Sequence, residues 1–396
     1  MRKVVVIGRN YTSRLGMIRA VGMIGYDVYV INTRGALKGK EVDAYSKYVK
    51  EYLFAKEPDR KELLSVIMSL KSENVKSIII PVDDFAASTI DKHLDLLKNY
   101  FLFPNVNMEQ GAINRLMDKH LQKFLARKSG LNVVDGWTVE IKNHVYNLPK
   151  DIIYPVFPKP QISFKGNKGC MVKCNNETEL RRVLNEIASK RDCPMLLEKY
   201  AIIEKEYALL GFSDGRNVEI PGVIQMLESG KGGHCGVTLF GTVFPIEDRF
   251  PLNQLKQFIR SLHFVGLFDI DAFESNGVFY FNELNLRFGA SGYALTKLDI
   301  NLPQCLINNL LGQETCMCGK VQGNVFFANE KVAYDDWFNL FISRKDYDGF
   351  INKADFSFIK SDLDCMPYKE FVARRFSCKN RLRRFAKFVL YKSGLQ

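Results

Sequence analysis

Short stretches that are apolar at every position, not at alternate ones, punctuate the first hundred residues. Positions 4–7 and 28–31 are such runs, as is 77–81 after its opening Ser77. A strand apolar on both faces belongs in a parallel sheet that helices cover on each side. Between the runs, apolar residues recur at helical spacing over 13–23 and around 61–70, which supplies those covers. Helical periodicity resumes over 114–129 and meets Gly130, a residue suited to closing a helix. Residues 152–212 read as strands around one helix at 177–190, and 213–312 as strand-rich runs ending in a helix near 303–311. The class is α/β, in part α+β. Four units follow: a Rossmann-like parallel-sheet domain at 1–110, linker helices with a small strand-rich subdomain at 111–212, an antiparallel-sheet subdomain at 213–318, and an extension with a basic tail at 319–396.

Length agrees with this division, because 396 residues exceed one ordinary core. The apolar fraction of 46% and charged fraction of 25% are those of a soluble globular chain. No apolar run approaches the roughly 18 residues of a membrane span, and a strand stands where a signal peptide would. A cytoplasmic protein is expected. The nine cysteines are odd in number and form no CxxC pair, so reduced thiols are expected. Cys316-Met317-Cys318 lacks a nearby second pair for zinc.

Charge changes the picture at one end only. The net +12 comes from 56 basic and 44 acidic residues. Arg374, Arg375, Lys379, Arg381, Arg383, Arg384, Lys387 and Lys392 all follow the last acid, Glu370. The tail lacks the interleaved stacking platforms of a nucleic-acid binder, so no nucleic acid is expected. Leu382, Phe385, Ala386 and Val389 fall at i, i+3, i+4 and i+7, with Arg381, Arg384 and Lys387 beside them. Such a helix packs on its own domain or rests on anionic lipid. In the second case residues 374–392 make a peripheral contact with the inner membrane face. A homodimer is compatible with either.

Gly8-Arg9-Asn10-Tyr11 occupies the place of a dinucleotide fingerprint, but Asn10 and Ser13 stand where further glycines are needed. An oxidoreductase is therefore not expected. Richer chemistry lies in 266–287, where two apolar runs flank Ser275-Asn276-Gly277, a hairpin signal. A two-residue turn puts Asp271 opposite Asn282 and leaves Glu283 and Asn285 on the other face. A three-residue loop with Gly277 left-handed puts Asp271 opposite Phe281, on the face of Glu283 and Asn285. The second is expected, and it makes Asp271 and Glu283 diagonal neighbours about 7 Å apart. Three oxygen donors without sulfur or imidazole suit a hard cation such as Mg²⁺. Arg287 adds a forked cation for phosphoryl or carboxylate oxygens. The plain alternative is a solvated polar sheet face. Against it stand Lys159, at the end of an apolar strand, and the basic loop 163–169 with Lys165 and Lys168, able to fold over phosphates.

In this order the motifs resemble the ATP-grasp superfamily, in particular its carboxylate-amine ligase branch, which includes D-aspartate ligase-like and biotin carboxylase-like enzymes. The resemblance covers residues 1 to about 312. It implies that 111–212 holds the lid and 213–318 the catalytic subdomain. Lys119 is then the first lysine to contact ATP and Lys159 the second, at the α- and β-phosphates, under a lid carrying Lys165 and Lys168. Glu198-Lys199-Tyr200-Ala201 matches the hinge that holds adenine, with Glu198, Lys199 and Ala201 at the nucleotide, and Glu206 matches the ribose acid. Asp271, Glu283 and Asn285 match the Mg²⁺ ligands, for which Mn²⁺ can substitute. Aspartate at 271 departs from the more frequent glutamate. Arg287 and Lys159 are the implied catalytic cations, and the substrates are a small-molecule carboxylate and an amine. Asp83 or Asp84 either binds the amine or caps a helix, and Ser291 either contacts substrate or turns the chain. A non-catalytic ATP-binding regulator or scaffold is the rival; retention of both carboxylates argues against it.

Overall fold

The computed structural model describes residues 2–38, 40–162, 172–231, 237–314, 319–339 and 341–357, together with Leu382, Phe385, Ala386 and Val389. The apolar N-terminal runs form a parallel sheet of β1 (Val4–Gly8), β2 (Val28–Asn32), β3 (Val49–Phe54), β4 (Ser77–Pro81) and β5 (Phe101–Leu102). Its order is β3-β2-β1-β4-β5. Because successive side chains alternate faces, Val5, Ile7, Ile31 and Ile79 pack beneath α2 (Arg60–Ser69) and α3 (Asp84–Lys92), with α4 (Leu94–Leu97) beside them. Val4, Val6, Val30 and Ile80 meet α1 (Tyr11–Gly22) on the opposite face. The chain runs outward from β1 and inward again through β4, so the loops after these two strands flank the crevice where such sheets bind ligands.

The helix expected over 114–129 is two helices, α5 (Ala112–Leu116) and α6 (Lys119–Lys128). Asp118 breaks the run by capping α6, accepting from the His120 and Leu121 amides. Before α5 comes the short β6 (Asn105–Val106). A small antiparallel sheet then pairs β7 (Gly136–Ile141), β9 (Cys193–Lys199) and β8 (Val156–Pro160) in that order. Leu180, Leu184 and Ile187 of α7 (Glu177–Ala188) cover it.

The largest sheet gathers β10 (Lys205–Asp214), β11 (Val218–Glu219), β12 (Val223–Ser229), β13 (Thr238–Phe244), β14 (Phe264–Ser275) and β15 (Val278–Asn285), with β16 (Val325–Ala328), β17 (Phe356–Ser357) and β6. One face, through Leu209, Phe268, Ile270, Phe281 and Leu284, packs on Ala126 of α6 and on Leu255, Phe258 and Ile259 of α8 (Leu252–Ser261). The other changes character along its length. Leu210, Phe212 and Leu267 pack with α1 and with α10 (Leu302–Leu310), and further along the same strands the face becomes polar. The short α9 (Tyr293–Thr296) precedes α10, and α11 (Glu330–Phe338) and α12 (Arg344–Lys353) pack beside β16. Among the described residues no helix is long and apolar enough to cross a membrane. Cys174, Cys193 and Cys305 are buried thiols; Cys316 and Cys318 lie outside the described residues.

Candidate active site

The polar end of the large sheet is built by a turn and a bulge. Asn276 and Gly277 both have positive φ, +50° and +71°, and Ser275 pairs with Val278. This is the two-residue turn that an Asn-Gly pair favours, and it corrects the expected three-residue loop. Glu204 fastens the turn by accepting from both amides. By itself that turn would put Asp271 opposite Asn282. A β-bulge at Asn282 adds one residue to β15, so that Ala272 pairs with Phe281 but Asp271 with Glu283 and Asp269 with Asn285. The expected face is thereby recovered by a different route. Asp269, Asp271, Glu283 and Asn285 share it, and Asn285 Nδ2 donates to Asp271 at 3.0 Å.

Two carboxylates directly opposite one another repel unless a cation lies between. Burial, then Asp269 and Glu283, push Asp271 up to about 8, and burial chiefly pushes Asp269 up to about 6. Lys119 answers this charge, with Nζ 3.0 Å from Glu283. Its position follows from Gln122, whose amide accepts from the Leu284 N–H and donates to the Leu284 carbonyl. The side chain thus replaces a neighbouring strand on the sheet edge and docks α6 there. At the start of α6, the Lys119 amide donates to the Gln161 carbonyl and Gln161 donates to Asp118, which ties the small sheet to the helix. Lys159, on β8, consequently reaches Asn282 at 3.1 Å and Glu198 at 2.7 Å. The bulged residue and the small sheet's lysine meet.

Arg287 closes the far side. Its Nε donates to Asp84 at 3.1 Å and its Nη2 to Asn285 at 3.1 Å, while Nη1 lies 3.9 Å from Asp269. Gly289 crosses directly over the Asp269 carboxylate, where a β-carbon would collide with it. Asp83 caps α3 through the Ala86 amide and accepts from the Arg9 amide, whereas Asp84 faces Arg287. Ser291 lies in the turn 290–292 just beyond Gly289.

The remaining expected residues are more scattered. Glu198 is buried, and its carboxylate points at lysines. Glu206 lies on the Asp271 face of β10, opposite Phe273, and burial raises its carboxyl. Lys199 and Ala201 line a cavity of about 600 Å³ with Tyr200, Ile202 and Tyr280; none of the carboxylates above lines it. Lys165 and Lys168 lie outside the described residues. Three neighbours were not singled out from sequence: Lys123, Asp269 and Asn282. Lys123 sits one helical turn from Lys119 and Asp269 one strand period from Asp271, spacings that could have revealed both. The bulge leaves no such trace.

Among the described residues no three His, Cys, Asp or Glu side chains converge tightly enough to hold a metal by themselves. Two carboxylates and an amide oxygen are nevertheless what Mg²⁺ uses when phosphates and waters complete its shell. The buried, unpartnered Oδ1 of Asp269 beside them adds to the negative character of the face. The donor set fits a metal that arrives with a nucleotide.

Comparison with known proteins agrees with this architecture. No protein-family model matches the chain. Carbamoyl phosphate synthase large chains are similar in sequence: 22% identity over 303 residues in Clostridium beijerinckii, covering 72% of this chain and 27% of the relative, and 26% over 178 residues in Agathobacter rectalis, covering 43% and 16%. The chain therefore spans about a quarter or less of these relatives. Among solved structures, an L-amino acid ligase from Bacillus licheniformis matches with a TM-score of 0.60 at 14% identity, over 82% of this chain and 79% of that one. N5-carboxyaminoimidazole synthetase from Staphylococcus aureus gives 0.60 at 19% identity over 85% and 84%. Biotin carboxylase from Campylobacter jejuni, in its β-γ-ATP complex, gives 0.61 at 16% over 82% and 74%. The chain has the ATP-grasp fold.

Proposed function

We propose that this chain is an Mg-ATP-dependent ligase that activates a small-molecule carboxylate as an acyl phosphate and joins it to an amine. The observation that carries this reading is the meeting of Lys119 and Lys159, from two separate elements, at a sheet face bearing Asp271, Glu283 and Asn285. In this reading 111–212 acts as the lid, 213–318 as the catalytic subdomain, and 1–110 supplies the wall with Asp84. Lys119 and Lys159 bind phosphate oxygens, Lys165 and Lys168 cover them, Glu198, Lys199 and Ala201 border adenine, and Glu206 holds the ribose. Asp271, Glu283 and Asn285 would hold Mg²⁺, or Mn²⁺ in its place, whose charge offsets that of the phosphates. The substrate carboxylate attacks the γ-phosphorus, and the bond to the β,γ-bridging oxygen breaks to release ADP. The amine then attacks the acyl carbon, loses a proton, and expels inorganic phosphate. Phosphoryl transfer asks chiefly for alignment and charge stabilisation, which the lysines and Arg287 provide without a protein nucleophile.

The test is product analysis with ATP and panels of carboxylates and amines. ADP and phosphate, formed only when both substrates are present, are expected; AMP and pyrophosphate contradict the chemistry. Asp271→Asn and Glu283→Gln should each lower turnover by at least 100-fold at unchanged circular dichroism. Nucleotide binding without turnover on any pair would favour a regulator or scaffold. For the tail we propose contact with anionic lipid at the cytoplasmic membrane face.

A further inference from the structure

Glu198 is shared. Its Oε1 lies 2.7 Å from Lys159 Nζ and 2.5 Å from Lys123 Nζ, and all three side chains are buried. Two ammonium groups on one carboxylate oxygen leave a positive charge uncompensated in a desolvated place, and such clusters seldom add net stability to a fold. The excess charge suits an arriving polyanion. Lys159 has the route to one, since it also reaches Asn282 beside Glu283. Lys123, on the second turn of α6, meets Glu198.

We propose that Lys123 is a positioning residue: it holds and neutralises Glu198, so that Lys159 is aimed at the nucleotide phosphates and not captured by the carboxylate. This deepens the ligase reading and rests on it. Without Lys123, Glu198 would keep one counter-ion, and Lys159 would have to leave a buried carboxylate unpaired in order to serve phosphate. Although burial pushes the Glu198 carboxyl up, Lys159 and Lys123 together hold it below its ordinary value. Burial pulls Lys123 down to about 8, with Glu198 opposing and Lys159 and Lys119 adding to the fall. Among the described residues those three act on it most strongly.

The experiment measures Mg-ADP affinity by calorimetry and KM for ATP in the full chain and in Lys123→Met, Glu198→Gln and the double variant, with Tm for each. Lys123→Met should weaken nucleotide binding by about tenfold or more, the order lost with one charged hydrogen bond. In the Glu198→Gln background the same change should have little further effect, because no carboxylate remains to capture Lys159. KM for ATP in the unaltered protein should rise above pH 8 as Lys123 loses its proton, and this rise should vanish in Lys123→Met. Equal losses in both backgrounds would show Lys123 contacting phosphate directly and overturn the proposal. A lowered Tm with unchanged nucleotide affinity would overturn it also, by showing a merely structural lysine. If the unaltered protein binds no Mg-ADP, the ligase reading fails and this inference with it.

Discussion

Arg287 is held on three sides, by Asp84 from the N-terminal sheet, Asn285 from its own strand and Asp269 beneath. A planar fork can satisfy these directions together; an ammonium cannot. Arg287→Lys should therefore keep the charge yet lower kcat on the order of 100-fold with Mg-ADP affinity little changed, as steady-state kinetics beside calorimetry would show. Equal loss of both would place Arg287 on the nucleotide instead. Arg287 was legible in the sequence because it follows Asn285 by one strand period. Its partner Asp84 was seen as a candidate, but not its role, since 203 positions separate the two and only the packing of one sheet against another brings them together. Lys123 went unread for a related reason. A lysine on a helix is ordinarily solvated, so its place one turn from Lys119 marks the shared face but not the burial against Glu198.

At the scale of elements, the hairpin shows how a correct face can follow from an incorrect turn. Period-two alternation correctly grouped Asp271, Glu283 and Asn285, but the register needed an extra residue, and the sequence pattern could place it in the turn or in the strand. Asn-Gly favours the tight turn, so the extra residue went to position 282. Deleting Asn282 removes that extra residue, so Glu283 should follow Phe281 directly and still fall opposite Asp271 in regular register. Thermal denaturation should then show Tm little changed and Mg-ADP binding retained, with KM for ATP raised a few-fold because the Lys159 contact is gone. Asn282→Ala keeps the chain length and so the register. It should spare Tm and raise KM for ATP a few-fold through loss of the Lys159 contact. If the deletion abolishes nucleotide binding, the pairing of Asp271 with Glu283 is not enough to make the site. The helix break at Asp118 was legible in principle, because an aspartate three residues before the apolar Leu121 is an ordinary cap.

For the molecule as a whole, the basic excess and the fold point to different partners, and exposure separates them. A tail helix packed on its own domain would bury its apolar stripe. Leu382, Phe385 and Val389 are instead 72%, 61% and 48% exposed, and Ala386 is exposed too. Exposed leucine and phenylalanine at helical spacing need a cover, and the eight basic residues without an acid after Glu370 make an anionic one favourable. Each basic residue near such a surface contributes about 1 kcal/mol, a term that salt screens, whereas the apolar stripe is insensitive to salt. Sedimentation with vesicles of mixed anionic and zwitterionic lipid should pull down the full chain at low salt and release much of it near 0.5 M NaCl, a concentration at which screening reaches only about 4–5 Å. Removing residues 374–396 should abolish pelleting while ADP formation is retained, because every residue proposed for the site precedes the removed segment. Equal pelleting of the truncated chain, or of the full chain with purely zwitterionic vesicles, would refute the lipid contact and leave the stripe to a protein partner.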